Sequence, residues 1–96
     1  MIPKKIKIGW KSYEVKHAKE TLNSGDALYG QIDYDKQVIT LRDSNTAIQD
    51  EATLVHEVLH GISDMYGLDL NEKTVTLLGD ALYTVMRDAG ITLPGD

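Results

Sequence analysis

The sequence predicts a small α+β domain, in which an antiparallel sheet of two hairpins precedes an active-site helix and a second packed helix. Apolar and polar residues alternate with a period of two over Lys5–Ala18, as in half-buried strands, and a run of strong strand formers follows at Val38–Leu41. After Asp43 the apolar spacing changes to that of amphipathic helices. At 96 residues, with 42% hydrophobic and 26% charged residues, the chain is expected to form one globular domain, residues 1–96.

The first half of the chain is expected to form the strands. Lys5–Ala18 alternates on either side of Gly9, which indicates two strands joined by a tight turn or one long bent strand. Glu20–Ala27 contains an Asn-Ser-Gly-Asp cluster and is expected to be a loop. A second hairpin follows, with arms Leu28–Asp33 and Gln37–Leu41.

The second half is expected to form the two helices. Ser44 or Asn45 would cap the first helix, which Gly67 would end. The second helix would begin near Asp69–Asn71 and run to about Asp88. Each helix carries an apolar stripe expected to be buried: Ile48, Ala52, Val55, Leu59, Ile62 and Tyr66 in the first, and Val75, Leu78, Leu82, Val85 and Ala89 in the second.

The composition excludes several classes of function. A net charge of −5 argues against a nucleic-acid partner, and no apolar run approaches the roughly 18 residues that span a bilayer. The N-terminal lysines are not followed by the apolar segment of a secretory signal. The absence of cysteine excludes disulfides and thiolate metal sites, and it suits a reducing cytoplasm, where we expect the protein to act.

The stretch TLVHEVLHGI, from Thr53 to Ile62, holds two of the three histidines. His56 and His60 are one helical turn apart, so both imidazoles leave the same face and can reach one zinc ion. Glu57 lies about 100° around the helix from His56, beside the metal without being a ligand, as a general base for an activated water requires. The alternative is that both histidines are hydrogen-bonded core residues, but an otherwise apolar turn makes their burial without an ion costly.

A third metal ligand must be a carboxylate, because no histidine follows His60. The candidates are Asp64, Asp69, Glu72 and Asp80, of which Glu72 is best placed because it opens the second helix on its packed face. Two interpretations remain open. Asp69 to Glu72 is a possible capping box that would use Glu72 at the helix end, whereas an N-cap at Asn71 would leave Glu72 free to bind the metal.

Supporting roles can be assigned to four further residues. Asp64 and Asp80 are each either a hydrogen-bond partner of a metal-bound histidine or a solvated carboxylate. Tyr83 lies on nearly the same face as Glu72, where it either packs in the core or stabilises an oxyanion. His17, at the end of a strand, is expected to be a surface residue.

From Thr53 to about Gly90, TLVHEVLHGISDMYGLDLNEKTVTLLGDALYTVMRDAG resembles the active-site region of small HExxH zincin metallopeptidases with a glutamate third ligand. It is most similar to the minimal ImmA/IrrE-like proteins of phages and mobile elements. The resemblance implies that His56, His60 and Glu72 bind Zn²⁺ and that Glu57 is the catalytic base. It also implies that the strand Gln37–Leu41 is the edge on which an extended peptide docks.

The expected function is therefore that of a zinc metallopeptidase acting on a protein or peptide substrate, with no nucleic-acid or membrane partner. Two alternatives remain. One is a non-catalytic zinc-binding interaction protein with the same ligands. The other is an α+β module in which the histidines are only structural.

Overall fold

The computed structural model describes residues 2–19 and 29–93. The predicted loop Glu20–Ala27, and Leu28 at the start of the second predicted hairpin, lie outside the described residues. The α+β class is confirmed, since a four-stranded sheet precedes two helices. The elements are β1 (Lys5–Ile8), β2 (Lys11–Ala18), β3 (Gly30–Asp33), β4 (Val38–Arg42), α1 (Ala47–Tyr66) and α2 (Glu72–Ala89).

The sheet is mixed, so the prediction of a wholly antiparallel sheet is wrong. Both hairpins form, since β1 pairs with β2 and β3 pairs with β4 in antiparallel register. They join side by side through β2 and β4, which run parallel, with Val15 opposite Ile39. The strand order is β1-β2-β4-β3. This pairing places β4 in the interior of the sheet and leaves β3 at one edge.

The turns and helix ends follow local sequence signals. Gly9 has a φ of 60° between β1 and β2, so the first segment is two strands joined by a tight turn. The helix α1 is capped by Thr46, which forms a capping box with Gln49, and not by Ser44 or Asn45. Gly67 ends α1 in the left-handed conformation, as predicted.

The helix α1 lies across one face of the sheet. The main core comprises residues of three strands and α1, and its members are Ile8, Tyr13, Val15, Ile39, Leu41 and Leu54. Ile48 and Tyr66, at the two ends of the predicted α1 stripe, are exposed. They extend beyond the part of α1 that the sheet and α2 cover. In the described part of the chain, neither helix is long and apolar enough to cross a membrane.

The helix α2 buries much less of its predicted stripe. Val75 is fully buried, and a Cβ placed on Gly79 would lie 3.6 Å from the His56 Cα. Leu78 and Leu82 are about two-fifths exposed and Val85 is 62% exposed. The physical reason is that α2 packs on α1 alone, so only the narrow line through Val75 and Gly79 is covered.

Two buried glycines near α1 differ in their tolerance of a side chain. A Cβ on Gly30 would lie 2.6 Å from Thr53 Cγ2 and 3.0 Å from the Thr40 carbonyl oxygen, whereas a Cβ on Gly79 meets nothing closer than 3.6 Å. Gly30→Ala is therefore expected to destabilise the protein by about 1–3 kcal/mol through overpacking. Gly79→Ala is expected to be neutral or stabilising by up to about 1 kcal/mol, because alanine favours helix.

Equilibrium urea unfolding of the two variants and the wild type measures these differences. Equal stability of Gly30→Ala and the wild type would show that β3 can move away from α1 at no cost.

Candidate metal centre

The two histidines of α1 point out of the helix toward the N-terminus of α2. His56 and His60 are separated by one turn, and their ring centroids lie 4.9 Å apart with planes inclined at 67°. Neither imidazole is in the main core, and their side chains are 24% and 18% exposed. Leu54, Val55 and Leu59, on the other sides of this turn, are buried and fix the rotation of α1. The helix therefore presents both rings on one half-buried face.

The loop between the helices returns the chain to these histidines. Ser63 anchors it, since its carbonyl oxygen accepts a hydrogen bond from the Leu68 N–H at 3.0 Å and its hydroxyl accepts one from the Leu70 N–H at 2.9 Å. Asn71 is the N-cap of α2, and its side chain accepts from the Thr74 N–H. Glu72 is consequently the first helical residue, and the capping-box interpretation is wrong.

Glu72 joins the two imidazoles. Its Oε1 lies 2.9 Å from His56 Nε2, and its Oε2 lies 2.8 Å from His60 Nε2. One donor atom from each of the three residues lies within 4.8 Å of the other two, and they are the one group of this kind among the described residues. The Thr76 hydroxyl donates a weak hydrogen bond to Glu72 Oε1 at 3.4 Å. Nitrogen and carboxylate donors in this number and spacing can hold a divalent cation.

Glu57 is buried beside this cluster. It is 6% exposed, and burial, followed by the charge of Glu72, raises its pKa to about 7. The pKa of His56 is lowered, chiefly by burial, although the neighbouring Glu72 carboxylate opposes that shift. A carboxyl group with a pKa near neutrality can both take up and release a proton at physiological pH.

A cleft of about 470 Å³ opens next to the cluster. It lies between the start of β3, the first half of α1 and the first turns of α2. Its lining residues are Tyr29, Gly30, Gln49, Ala52, Thr53, His56, Glu57, Glu72, Thr76 and Asp80. A second cleft of about 300 Å³ lies beside His60 and is also lined by Tyr34, Ser63, Asp64, Gly67, Asp69 and Leu70. The three-residue cluster therefore has open space on both sides.

The remaining predicted residues have different outcomes. Asp64 forms an ion pair with Lys11 at 3.6 Å, and Asp80 lines the larger cleft. Neither carboxylate hydrogen-bonds to a histidine in the described structure, and neither belongs to the three-residue cluster, nor does Asp69. His17 is a surface residue as expected, with its Nε2 2.7 Å from Asp50 Oδ2.

Tyr83 does not face the cluster, so of its two predicted alternatives the geometry does not support the stabilisation of an oxyanion. Its hydroxyl donates to Glu51 Oε1 at 2.7 Å and accepts from the Arg87 guanidinium at 3.2 Å, outside both clefts. Tyr34 was missed by sequence reasoning. It follows β3 and lines the cleft beside His60, and burial together with the Asp64 and Glu57 charges raises its pKa. Its position in a hairpin turn gave no signal of this proximity.

We compare the free energies of unfolding of the wild type and of Glu57→Gln, both without metal. The wild type is expected to become less stable relative to the variant as the pH rises from 4.5 to about 7. A carboxyl group whose pKa is raised by folding favours the folded state while protonated, and this advantage is lost as the proton leaves. The rise in the pKa of Glu57 from 4.5 to about 7 corresponds to a change of about 3 kcal/mol at most in the free energy of unfolding. His56 contributes equally to both proteins, so the difference between them isolates Glu57.

Urea unfolding of both proteins with a chelator present, at about pH 4 and about pH 8, measures this difference. If the difference were the same at both pH values, Glu57 would not titrate abnormally in the folded chain.

No protein-family model, no curated protein and no solved structure matches this chain. The geometry of the cluster and its clefts is therefore the basis for any functional conclusion.

Proposed function

We propose that the protein is a zinc-dependent metallopeptidase of the HExxH type, in keeping with the resemblance to small ImmA/IrrE-like zincins. The observation that carries this proposal is the meeting of both imidazole Nε2 atoms with the two oxygens of one carboxylate, at 2.9 and 2.8 Å. If the two histidines shared a helix face only by chance, there would be no reason for a carboxylate of another helix to lie between their rings.

The residues present fit a zinc ion. Donors at zinc–ligand distances of 2.0–2.1 Å in a tetrahedron are about 3.3 Å apart. Each imidazole nitrogen lies 2.9 or 2.8 Å from an oxygen of Glu72, and one donor atom from each of the three residues lies within 4.8 Å of the other two. His56, His60 and Glu72 would supply the three protein ligands typical of a catalytic zinc. Glu72 is 67% exposed on its side chain, so the fourth position would be open toward solvent. A zinc ion held here would polarise a substrate carbonyl and lower the pKa of a water molecule.

Glu57 would act as the general base and then as the general acid. It takes a proton from the attacking water as the water oxygen bonds to the carbonyl carbon, and it gives the proton to the amine when the C–N bond breaks. Its burial supports this assignment, because a desolvated carboxylate is a stronger base than one in water. A pKa of about 7 before metal binding is compatible with both directions of transfer.

The substrate is proposed to be an extended segment of a protein or peptide, with neither nucleic acid nor membrane as partner and the cytoplasm as the compartment. The resemblance implied docking along Gln37–Leu41, but β4 pairs with β2 and β3 on its two sides and cannot accept another strand. Among the described strands, β3 has a neighbour on one side only. Strand addition at β3 would lay a peptide along both clefts and past the cluster.

The experiment that tests this proposal compares zinc-loaded, chelator-treated and zinc-restored protein on a complex mixture of synthetic peptides, with products identified by mass spectrometry. We expect about one zinc per chain, and hydrolysis that chelation removes and zinc restores. Zinc binding without hydrolysis of any peptide would favour a non-catalytic zinc-binding interaction protein. Absence of zinc binding would make the histidines structural.

A further inference from the structure

One face of α2 is uncharged and is covered by no helix or strand of the described chain. Its residues recur every three or four positions, and we call it the α2 outer face: Thr74, Leu77, Leu78, Ala81, Leu82, Val85 and Ala89. Leu77 and Val85 are 61% and 62% exposed, and Leu78 and Leu82 are 40% and 39% exposed. Among the described helices and strands, α2 contacts α1 alone. The outer side of a surface helix is normally polar, so this apolar face indicates an interaction surface.

The α2 outer face points away from the metal cluster. Glu72, Thr76 and Asp80 line the larger cleft. Successive residues of a helix are rotated by about 100°, so these three side chains leave α2 about 180° from the centre of the outer face. A molecule bound to the outer face therefore leaves the larger cleft open.

The charged residues of α2 indicate which molecule covers the face. All five lie outside it, and they are Glu72, Lys73, Asp80, Arg87 and Asp88. Lys73 and Asp88 lie near opposite ends of α2 on the same flank of the outer face, and both are exposed. Neither forms a salt bridge with any residue that the structure describes. A partner that brings a carboxylate to Lys73 and a cation to Asp88 would complement this flank.

A second copy of α2 in antiparallel orientation meets this requirement. A twofold axis through the centre of the face, at Ala81, places Lys73 of one chain within about 2 Å, along the helix axis, of Asp88 of the second copy. The same axis places Leu77 of each chain opposite Val85 of the other, and the small side chain of Ala81 allows the two helices to approach closely. A parallel copy would instead place each charge beside an identical charge.

The area of the face predicts the strength of this contact. The exposed side chains of the face present on the order of 400 Å² per chain, so two copies would bury about 800 Å². Stable protein complexes bury about 1,200–2,000 Å², whereas weak and transient complexes bury less. The face therefore suits a weak dimer.

We propose that the α2 outer face is the interface of a weak antiparallel homodimer, in which two α2 helices pack on each other and Lys73 of each chain pairs with Asp88 of the other. The dimer places both metal clusters and both larger clefts on its outside. This inference does not depend on the proposed metallopeptidase function, because none of the metal ligands lies in the interface.

The test is sedimentation equilibrium of the full chain between about 20 µM and about 1 mM, a range that covers weak association. A chelator is present, because Glu72 is 67% exposed and a metal ion could otherwise bridge two chains. The variants are Val85→Glu, Lys73→Glu, Asp88→Lys and the double variant Lys73→Glu/Asp88→Lys. Trp10→Glu is the control for non-specific association, since Trp10 is 73% exposed in the turn between β1 and β2. Circular dichroism checks that each variant is folded.

The wild type is expected to dimerise with a dissociation constant on the order of 100 µM. Val85→Glu should weaken the dimer at least tenfold, because it places an unpaired charge in the apolar contact. Each single charge reversal should weaken it about threefold to tenfold, as for solvent-exposed ion pairs, and the double variant should restore the wild-type value. Trp10→Glu should leave the dissociation constant unchanged.

Three results would overturn the proposal. The first is a wild type that stays monomeric up to about 1 mM, at which a dimer of this area should form. The second is association that Val85→Glu does not weaken, since the contact would then lie elsewhere on the molecule. The third is a double variant that dimerises no better than the single charge reversals, because the two helices would then not be antiparallel.

Discussion

Glu57→Gln is expected to lower zinc-dependent peptide hydrolysis by about 100-fold to 10,000-fold, the range that general acid–base catalysis contributes. Glutamine nearly matches the protonated glutamate in shape but cannot accept a proton from water. Because Glu57 is 6% exposed and is not one of the three clustered donors, the change should leave the fold and the zinc content intact. The measurements are the rate of peptide cleavage and the zinc bound per chain.

Glu51→Gln is the matched control for this substitution. Glu51 lies on the same helix and accepts a hydrogen bond from Tyr83, away from both clefts, so its variant should retain nearly full activity. Undiminished hydrolysis by Glu57→Gln would remove Glu57 from the chemistry. If neither variant nor the wild type cleaves a peptide, yet all three bind zinc, the protein is better described as a zinc-binding interaction protein.

Glu72→Ala is expected to weaken zinc binding by about 100-fold or more, a loss at least as large as that seen when a hydrogen-bond partner of a metal ligand is removed. Two imidazoles would remain, and neither Asp64 nor Asp80 lies in the cluster to replace the lost carboxylate. Glu72 is exposed at the first turn of α2, and Asn71 supplies the cap independently, so the helix should persist. Calorimetric titration against a competing chelator measures the affinity.

Lys73→Ala is the control at the neighbouring position. Lys73 is exposed and does not line either cleft, so its removal should leave the zinc affinity within about twofold of the wild type, as for most surface substitutions. Equal zinc affinity of Glu72→Ala and Lys73→Ala would show that another group completes the site.

The helices were the more predictable part of the fold, because their signals are local. Gly67 and Asn71 act within one turn of the residues that they cap, and the periodic apolar spacing of α1 is visible over five turns. The parallel pairing of β2 with β4 was not predictable in the same way. It depends on how two complete hairpins fit beneath α1, and no short stretch of sequence encodes that choice.

In the candidate site, too, the residues set by local spacing were predictable, whereas those set by tertiary packing were not. The helical spacing of His56 and His60 brings their rings together wherever α1 forms, so sequence reasoning could identify them. The choice of Glu72 among four carboxylates depended on the path of the loop that Ser63 anchors, which sequence alone left open. Sequence reasoning left the role of Tyr83 open and missed Tyr34. The direction of α2 across α1 places Tyr83 beside Glu51, and the position of the turn after β3 places Tyr34 beside His60.

The three clustered donors are brought together by hydrogen bonds of the chain itself, since Ser63 anchors the loop between the helices and Asn71 caps α2 beside Glu72. An arriving cation thus meets donors that are gathered in advance, and its uptake requires little further ordering of the backbone. We expect the apo and holo proteins to share one conformation, unlike zinc fingers, which fold only around their ion. We therefore expect a bound metal ion to be released and taken up again without unfolding of the chain.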